Sequence, residues 1–204
     1  MSETSLIVKE NFLPNFYATR EWALKMNYGT NVYKGTPFHN TSPDWGQYPT
    51  HLLEDVMGFP IQSTLSVLRF NTEEPGSTVS PFIHSDFGID GAEWASVLYL
   101  STPEQDSQQS GGTAFWRHKA TGLRGLPDNP GLLVATGFTD DIIKQIDSDG
   151  FDETNWKLEM FTSMKSNRLI VYPSSLFHSR YPNAAFGTDA RTGRLIWVNF
   201  FKGV

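Results

Sequence analysis

From residue 63 onward, apolar side chains recur at alternate positions or in short runs bounded by Gly, Pro and Asn, the signature of strands. STLSVLRFN alternates, with Leu65, Val67 and Arg69 opposed to Ser66, Leu68 and Phe70. VSPFIHSDF follows, and WASVLYLS is an apolar run of the kind buried on both faces. GGTAFWRH opens with two glycines, as a strand does where it bends or another backbone comes close. NRLIVYP, LFHSRYP and RLIWVNFF complete the strand set. The first sixty or so residues read instead as helical support. Pro14-Asn15 opens NFYATREWALKMNY, where Phe16, Ala23, Leu24 and Met26 form one face. A loop rich in Gly, Pro, Asn and Ser runs from Gly35 to about Pro49, and a short helix follows through HLLEDVMGF. After Lys119, PDNP marks turns, while TDDIIKQIDS and ETNWKLEMF read as helical.

Strands in this number, with short ones added, predict a jelly roll, in which about eight strands in two sheets form a shell with a mouth. An immunoglobulin-like sandwich has no place for long helical inserts. The expected class is mainly β with α: a double-stranded β-helix (jelly-roll) core with N-terminal helices and a helical insert. A chain of 204 residues suits one domain. Residues 1–62 would be the N-terminal support, 63–118 and 166–204 the core, and 119–165 the insert. That insert either forms a lid over the mouth or packs outside the sheet.

Apolar residues at 39% and charged ones at 19% describe a soluble globular domain. The formal charge of −6, with no basic run, excludes nucleic acid and anionic membranes as expected partners. No stretch approaches membrane-spanning length and no signal sequence is evident, so a cytoplasmic setting is expected. With no cysteine, thiolate metal sites and cysteine nucleophiles are ruled out.

Chemistry concentrates in His84-Ser85-Asp86. Two residues apart on an extended segment, imidazole and carboxylate leave the same face. One further histidine would complete a 2-His-1-carboxylate face, which grips one side of an octahedral iron(II) and leaves the other open. His178 is the candidate third ligand. The tripeptide alone is equally compatible with a surface histidine bonded to an aspartate, but it stands at a strand end, where cavities open. His39 and His51 fall in the N-terminal loop and helix and read as solvated or capping residues. His118 ends its strand and is retained as an alternative ligand or substrate contact. Arg69 shares a face with Leu65 and Val67, so its charge must be paired or emerge at the mouth. Trp116 and Arg117 alternate, so one of them should face the cavity.

The order HxD, GGTAFW, NRLIVYPSSLFH and GRLIWVNFF, over residues 63 to 201, resembles the iron(II)/2-oxoglutarate-dependent dioxygenases. The branch is the prolyl-hydroxylase-like one, and a small bacterial and phage group with FWRHKATG and NRLIVYPSSLFHS-type motifs is similar. The resemblance implies that His84, Asp86 and His178 hold Fe(II), and that the 2-oxoglutarate cosubstrate chelates the metal through its 1-carboxylate and 2-oxo group. Its far carboxylate would meet Arg194 on the last strand, a geometry suited to a guanidinium fork. Arg191 is the competitor, because the spacing of 194 − 178 = 16 is longer than in many relatives. Tyr99 matches a tyrosine that helps bind that carboxylate, or is a core tyrosine. Aspartate at 86, where halogenating members carry a small residue, implies oxygen insertion or desaturation. The implied reaction uses O2 and releases succinate and CO2 while hydroxylating an unactivated C–H of a small molecule or an amino-acid or peptide side chain. Two alternatives stand beside it: a cupin-like metalloenzyme that does not use 2-oxoglutarate, and a metal-free jelly-roll binding module.

Overall fold

The computed structural model describes residues 6–33, 36–71, 81–108, 111–127, 139–184 and 186–204. Among the described residues, ten strands form two antiparallel sheets. In chain order they are β1 (Ile7–Lys9), β2 (Gly29–Tyr33), β3 (Thr36–Pro43), β4 (Ile61–Asn71), β5 (Trp94–Tyr99), β6 (Gly112–His118), β7 (Trp156–Ser163), β8 (Leu169–Pro173), β9 (His178–Tyr181) and β10 (Arg194–Gly203). The helices are α1 (Phe16–Ala23), α2 (Thr50–Met57), α3 (Pro103–Gln108) and α4 (Asp140–Asp149). The larger sheet runs β1-β8-β5-β10-β4-β3-β2 and the smaller β7-β6-β9. The two sheets remain separate and do not close into a barrel.

Alternation along the central strands builds a core on each side of the larger sheet. One face presents Leu68, Leu98, Leu169, Leu195, Trp197 and Phe201 to Phe12, Leu13, Phe16, Ala23 and Leu53 of the N-terminal segment. The opposite face presents Ala95, Val97, Tyr99, Ile170, Tyr172, Ile196 and Phe200 to Phe115 of the smaller sheet. Burial on both faces explains why WASVLY and LIVYP are continuous apolar runs. The smaller sheet has a covered outer face of its own, where Ala114, Trp116, Trp156 and Phe177 pack with Ile83 and with Ile146 of α4.

Three strands cannot cover seven. On the inner face the side chains of β8 and β5 are buried, and so are Ile196 and Phe200 of β10. Those of β4 (Leu65, Val67 and Arg69) are only half-buried. The sandwich therefore opens over β4.

Three local expectations are corrected. The N-terminal support is not purely helical: β1 pairs with β8, and β3 runs through the stretch read as a loop. Pairing of Thr41, Ser42 and Pro43 with Arg69, Leu68 and Val67 recruits that polar segment, an effect of strand pairing that composition does not record. ETNWKLEMF is not helical. A short 3-10 turn at Glu153–Asn155 leads into β7, whose Trp156 and Leu158 pair with His118 and Trp116. A sheet partner thus overrides the helix preference of Lys, Leu, Glu and Met. The 119–165 stretch therefore contains a sheet strand as well as α4. Finally, VSPFIHSDF is not a full strand where it is described: residues 72–80 lie outside the described residues, and His84 makes an isolated bridge to His178. TDDIIKQIDS does form a helix, capped by the Thr139 side chain accepting from Ile142 N, with Asp140 and Asp141 in its first turn.

No helix among the described residues is long and apolar enough to cross a membrane.

Candidate metal centre

Two stretches distant in sequence are laced together by backbone. His84 N donates to His178 O at 3.1 Å, and His178 N donates to His84 O at 2.8 Å. Two residues on, Asp86 N donates to Ser174 O at 2.9 Å. These bonds bring His84, Asp86 and His178 into one group whose ligand atoms all lie within 4.8 Å of one another. The Asp86 carboxylate stands between the rings, its Oδ2 at 3.1 Å from His178 Nε2 and its Oδ1 at 3.7 Å from His84 Nε2.

Both imidazoles are oriented in the same way. His84 Nδ1 lies 3.2 Å from Phe82 O, and His178 Nδ1 lies 2.9 Å from Leu176 O. A carbonyl only accepts, so each Nδ1 carries a proton and each Nε2 faces the shared space, where it offers a lone pair once that nitrogen is unprotonated. This is the outer support that metal-ligating histidines ordinarily have. The His178 and Asp86 side chains are 8% and 13% exposed, whereas that of His84 is 42% exposed, so the group is open on its His84 side.

The charges follow this geometry. Desolvation and the adjacent His178 ring pull the His84 imidazole down to about 4. Burial alone would push Asp86 up, but the charge and hydrogen bond of His178 hold it below the ordinary carboxylate value. Burial likewise works against a charged His178, yet Asp86 raises it above an ordinary histidine. Without a metal, Asp86 and His178 share a proton, and a divalent cation would take that proton's place.

A second cluster lies between the same two sheets, where β10 faces β6. Arg194 is 3% exposed. It donates from Nη1 to Asn71 Oδ1 at 2.9 Å, and from Nη2 to Thr113 Oγ1 at 3.2 Å and Gly112 O at 3.3 Å. Its Nε has no hydrogen-bond partner among the described residues. The guanidinium carbon sits 5.3 Å from the centroid of Tyr99, whose hydroxyl is 2.7 Å from Thr113 Oγ1. Tyr172 lies between the clusters, its ring 4.9 Å from His178 and 5.0 Å from Phe115. Arg191 lies exposed in the turn organised by Asp189.

The remaining candidates lie elsewhere. His118 is fully buried on the outer face of the smaller sheet, with Nε2 at 2.9 Å from Asp149 and Nδ1 at 2.9 Å from Thr121. His39 is exposed and bonded to Thr30, and His51 is exposed on α2. Trp116 packs in that outer cluster and donates to Ser179, while Arg117 pairs with Glu159 at 2.6 Å. Thr113, Asn71 and Tyr172 were not singled out in the sequence. Thr113 alone left a signal, standing two positions before Phe115 on β6 and so on the same face.

Sheets and donor set define the class: a double-stranded β-helix (jelly-roll) protein carrying a two-histidine, one-carboxylate group that could hold a metal. The chain belongs to the family of unknown function DUF6445, whose sequence profile matches residues 62–201. No curated protein matches the sequence. Among solved structures it is similar to the non-heme alpha ketoglutarate dependent epimerase SnoN from nogalamycin biosynthesis. The TM-score is 0.54 at 13% identity, over 98% of this chain and 78% of that one. The carbocyclase SnoK of the same biosynthesis gives 0.53 at 11%, over 98% and 79%. AviO1 from Streptomyces viridochromogenes Tue57 gives 0.51 at 14%, over 97% and 89%. At these identities the likeness shows the shared fold. One SnoN structure holds Fe3+, alpha ketoglutarate and nogalamycin RO.

Proposed function

We propose that this protein is an iron(II)- and 2-oxoglutarate-dependent oxygenase of the prolyl-hydroxylase-like branch, hydroxylating an unactivated C–H of a small molecule or an amino-acid or peptide side chain. The observation that carries the reading is Arg194: a buried guanidinium with no carboxylate partner among the described residues, between the same two sheets as the ligand group. A buried charge of that kind calls for an anion. The register sets its distance from the metal group. Phe115 pairs with His178 across β6 and β9, and Thr113, which touches Arg194, lies two residues along, roughly 7 Å. A five-carbon dicarboxylate is of the length to reach from a metal that His84, Asp86 and His178 would hold to Arg194.

Iron(II) with bound 2-oxoglutarate supplies the activation of O2, giving succinate, CO2 and the oxidised product. The chain's own residues bind and orient. Nδ1-protonated imidazoles present Nε2, Asp86 adds the charge that favours a divalent cation, and Tyr99 and Thr113 hold the Arg194 fork in place. Tyr172 and Phe115 keep the space between them dry.

The test is anaerobic titration of the metal-free protein with iron(II) and 2-oxoglutarate, followed by admission of O2. A weak visible charge-transfer band and then substrate-independent succinate are expected. Both are lost in His84→Ala and Asp86→Ala and kept in His39→Ala and His51→Ala. Metal binding without any response to 2-oxoglutarate would favour a cupin-like enzyme, and no metal binding at all a binding module.

A further inference from the structure

His118 is wholly buried on the face of the smaller sheet that looks away from the ligand group. A buried imidazole is costly unless its nitrogens find partners, and both do. Nε2 donates to Asp149 Oδ2 at 2.9 Å, and Nδ1 lies 2.9 Å from Thr121 Oγ1. Asp149 is the last residue of α4. Its other carboxylate oxygen accepts from Asn155 Nδ2 at 3.2 Å, and its backbone carbonyl accepts from Trp156 Nε1 at 2.9 Å. The end of the helix is thereby tied to the end of β6 and the start of β7.

Two lines of contact run from this imidazole to the two ligand histidines. Along the first, Asp149 is followed by Gly150, whose carbonyl accepts from Ile83 N at 2.9 Å, and Ile83 precedes His84. Along the second, the His118 ring lies 4.8 Å from that of Trp156, which lies 5.0 Å from Phe177, and Phe177 precedes His178. Ile83 and Phe177 are each 1% exposed and share one cluster with Trp116, Trp156 and Ile146. Successive residues of an extended chain point to opposite faces. With the residue before each histidine locked into that cluster, both imidazoles are turned to the other face, at a spacing the cluster sets.

We infer that His118 and Asp149 are positioning residues of the metal centre. Their bond holds the last turn of α4 on the smaller sheet, and through Gly150 and Ile83 on one side and Trp156 and Phe177 on the other it fixes how His84 stands relative to His178. The inference rests on the part of the proposed function in which these histidines bind a metal, and not on what the metal then does.

The bond can be cut from either side. Asp149→Ala removes a carboxylate that is 22% exposed, and His118→Asn is too short to reach it but still meets Thr121. Zinc affinity is read at fixed pH by competition with a chelating dye, and amide hydrogen exchange is read in the metal-free protein. Both variants should bind zinc about tenfold more weakly, as when an outer partner of a metal ligand is lost. The Ile83 amide should exchange faster in both, while the amides of β5, β8 and β10 stay protected and show that the variants fold. Asp149→Asn, whose amide oxygen still accepts from Nε2, should keep the native affinity. Leu53→Ala, which opens a cavity on the far face of the larger sheet, should lower the melting temperature and leave zinc affinity unchanged. Native zinc affinity or native Ile83 exchange in either folded bond-cutting variant overturns the inference. So does a loss of zinc affinity in Leu53→Ala as large as theirs. A native protein that binds zinc but shows no band with iron(II) and 2-oxoglutarate fails the oxygenase reading and leaves the positioning role standing; one that binds no zinc overturns both.

Discussion

Arg194 and Arg191 lie three positions apart and differ in everything that matters to a carboxylate. Arg194 is buried between the sheets, held by Asn71, Thr113 and the Gly112 carbonyl, whereas Arg191 is exposed in a turn. Arg194→Met should therefore raise the apparent KM for 2-oxoglutarate about tenfold to a hundredfold, and Arg191→Ala should leave it unchanged; succinate formation against 2-oxoglutarate concentration reads both. His178 sets the pH dependence. Its imidazole is raised by Asp86, and it must lose its proton before a cation can bind. Metal affinity should accordingly fall about tenfold per pH unit once the pH drops below the raised His178 value, as measured by competition with a chelating dye. The metal-free protein behaves in the opposite sense. Stability from the raised histidine is complete at low pH and lost as pH rises through its folded value. That from the depressed Asp86 is present above the ordinary carboxylate value and lost as pH falls through its folded one. Their ion pair therefore stabilises the empty site only between the two.

At the scale of elements, α4 ends against the segment that carries the first ligand. Ile83 N donates to Gly150 O at 2.9 Å. A Cβ on Gly150 would lie 2.4 Å from Ile83 O and 2.7 Å from Pro81 Cβ, so no side chain fits there without displacing residue 83. Gly150→Ala should shift His84 and weaken metal binding while leaving the buried strands folded, seen as lower zinc affinity with unchanged far-ultraviolet circular dichroism. Nothing in TDDIIKQIDSDG announces that contact, because it is made across the fold. What the sequence did reveal was whatever its own periodicity encodes. β4, β5, β6, β8, β9 and β10 are legible because their alternation or continuous burial is a local pattern, and so is α4 with its Thr139 cap. β3 and β7 are polar or helix-prone and become strands only through pairing with β4 and β6. The candidate site divides in the same way. HxD and the late histidine show as residue types at strand ends, but Tyr172 and Asn71 are indistinguishable from core and strand-end residues until the two sheets face each other.

The whole molecule is larger than its family match. Residues 62–201 hold His84, Asp86, His178 and Arg194, but the far face of the larger sheet is covered by Phe12, Leu13, Phe16, Ala23 and Leu53. Removing the first sixty residues would expose Leu68, Leu98, Leu195 and Trp197 together, a patch of the kind that drives aggregation. A fragment beginning at residue 61 should therefore be insoluble or dependent on added N-terminal segment, whereas the full chain is monodisperse; size-exclusion chromatography of the two distinguishes them. The N-terminal segment thus supports the site from behind, by packing on the far face of the sheet that carries Tyr99, Tyr172 and Arg194. The reciprocal backbone bonds between residues 84 and 178 have a different consequence. They space the two imidazoles before any ion arrives, so cation entry and exit require no rethreading of the chain. A cradle finished in advance would accept whichever divalent ion is abundant, and on the oxygenase reading proposed above a redox-inert occupant would silence the protein without unfolding it.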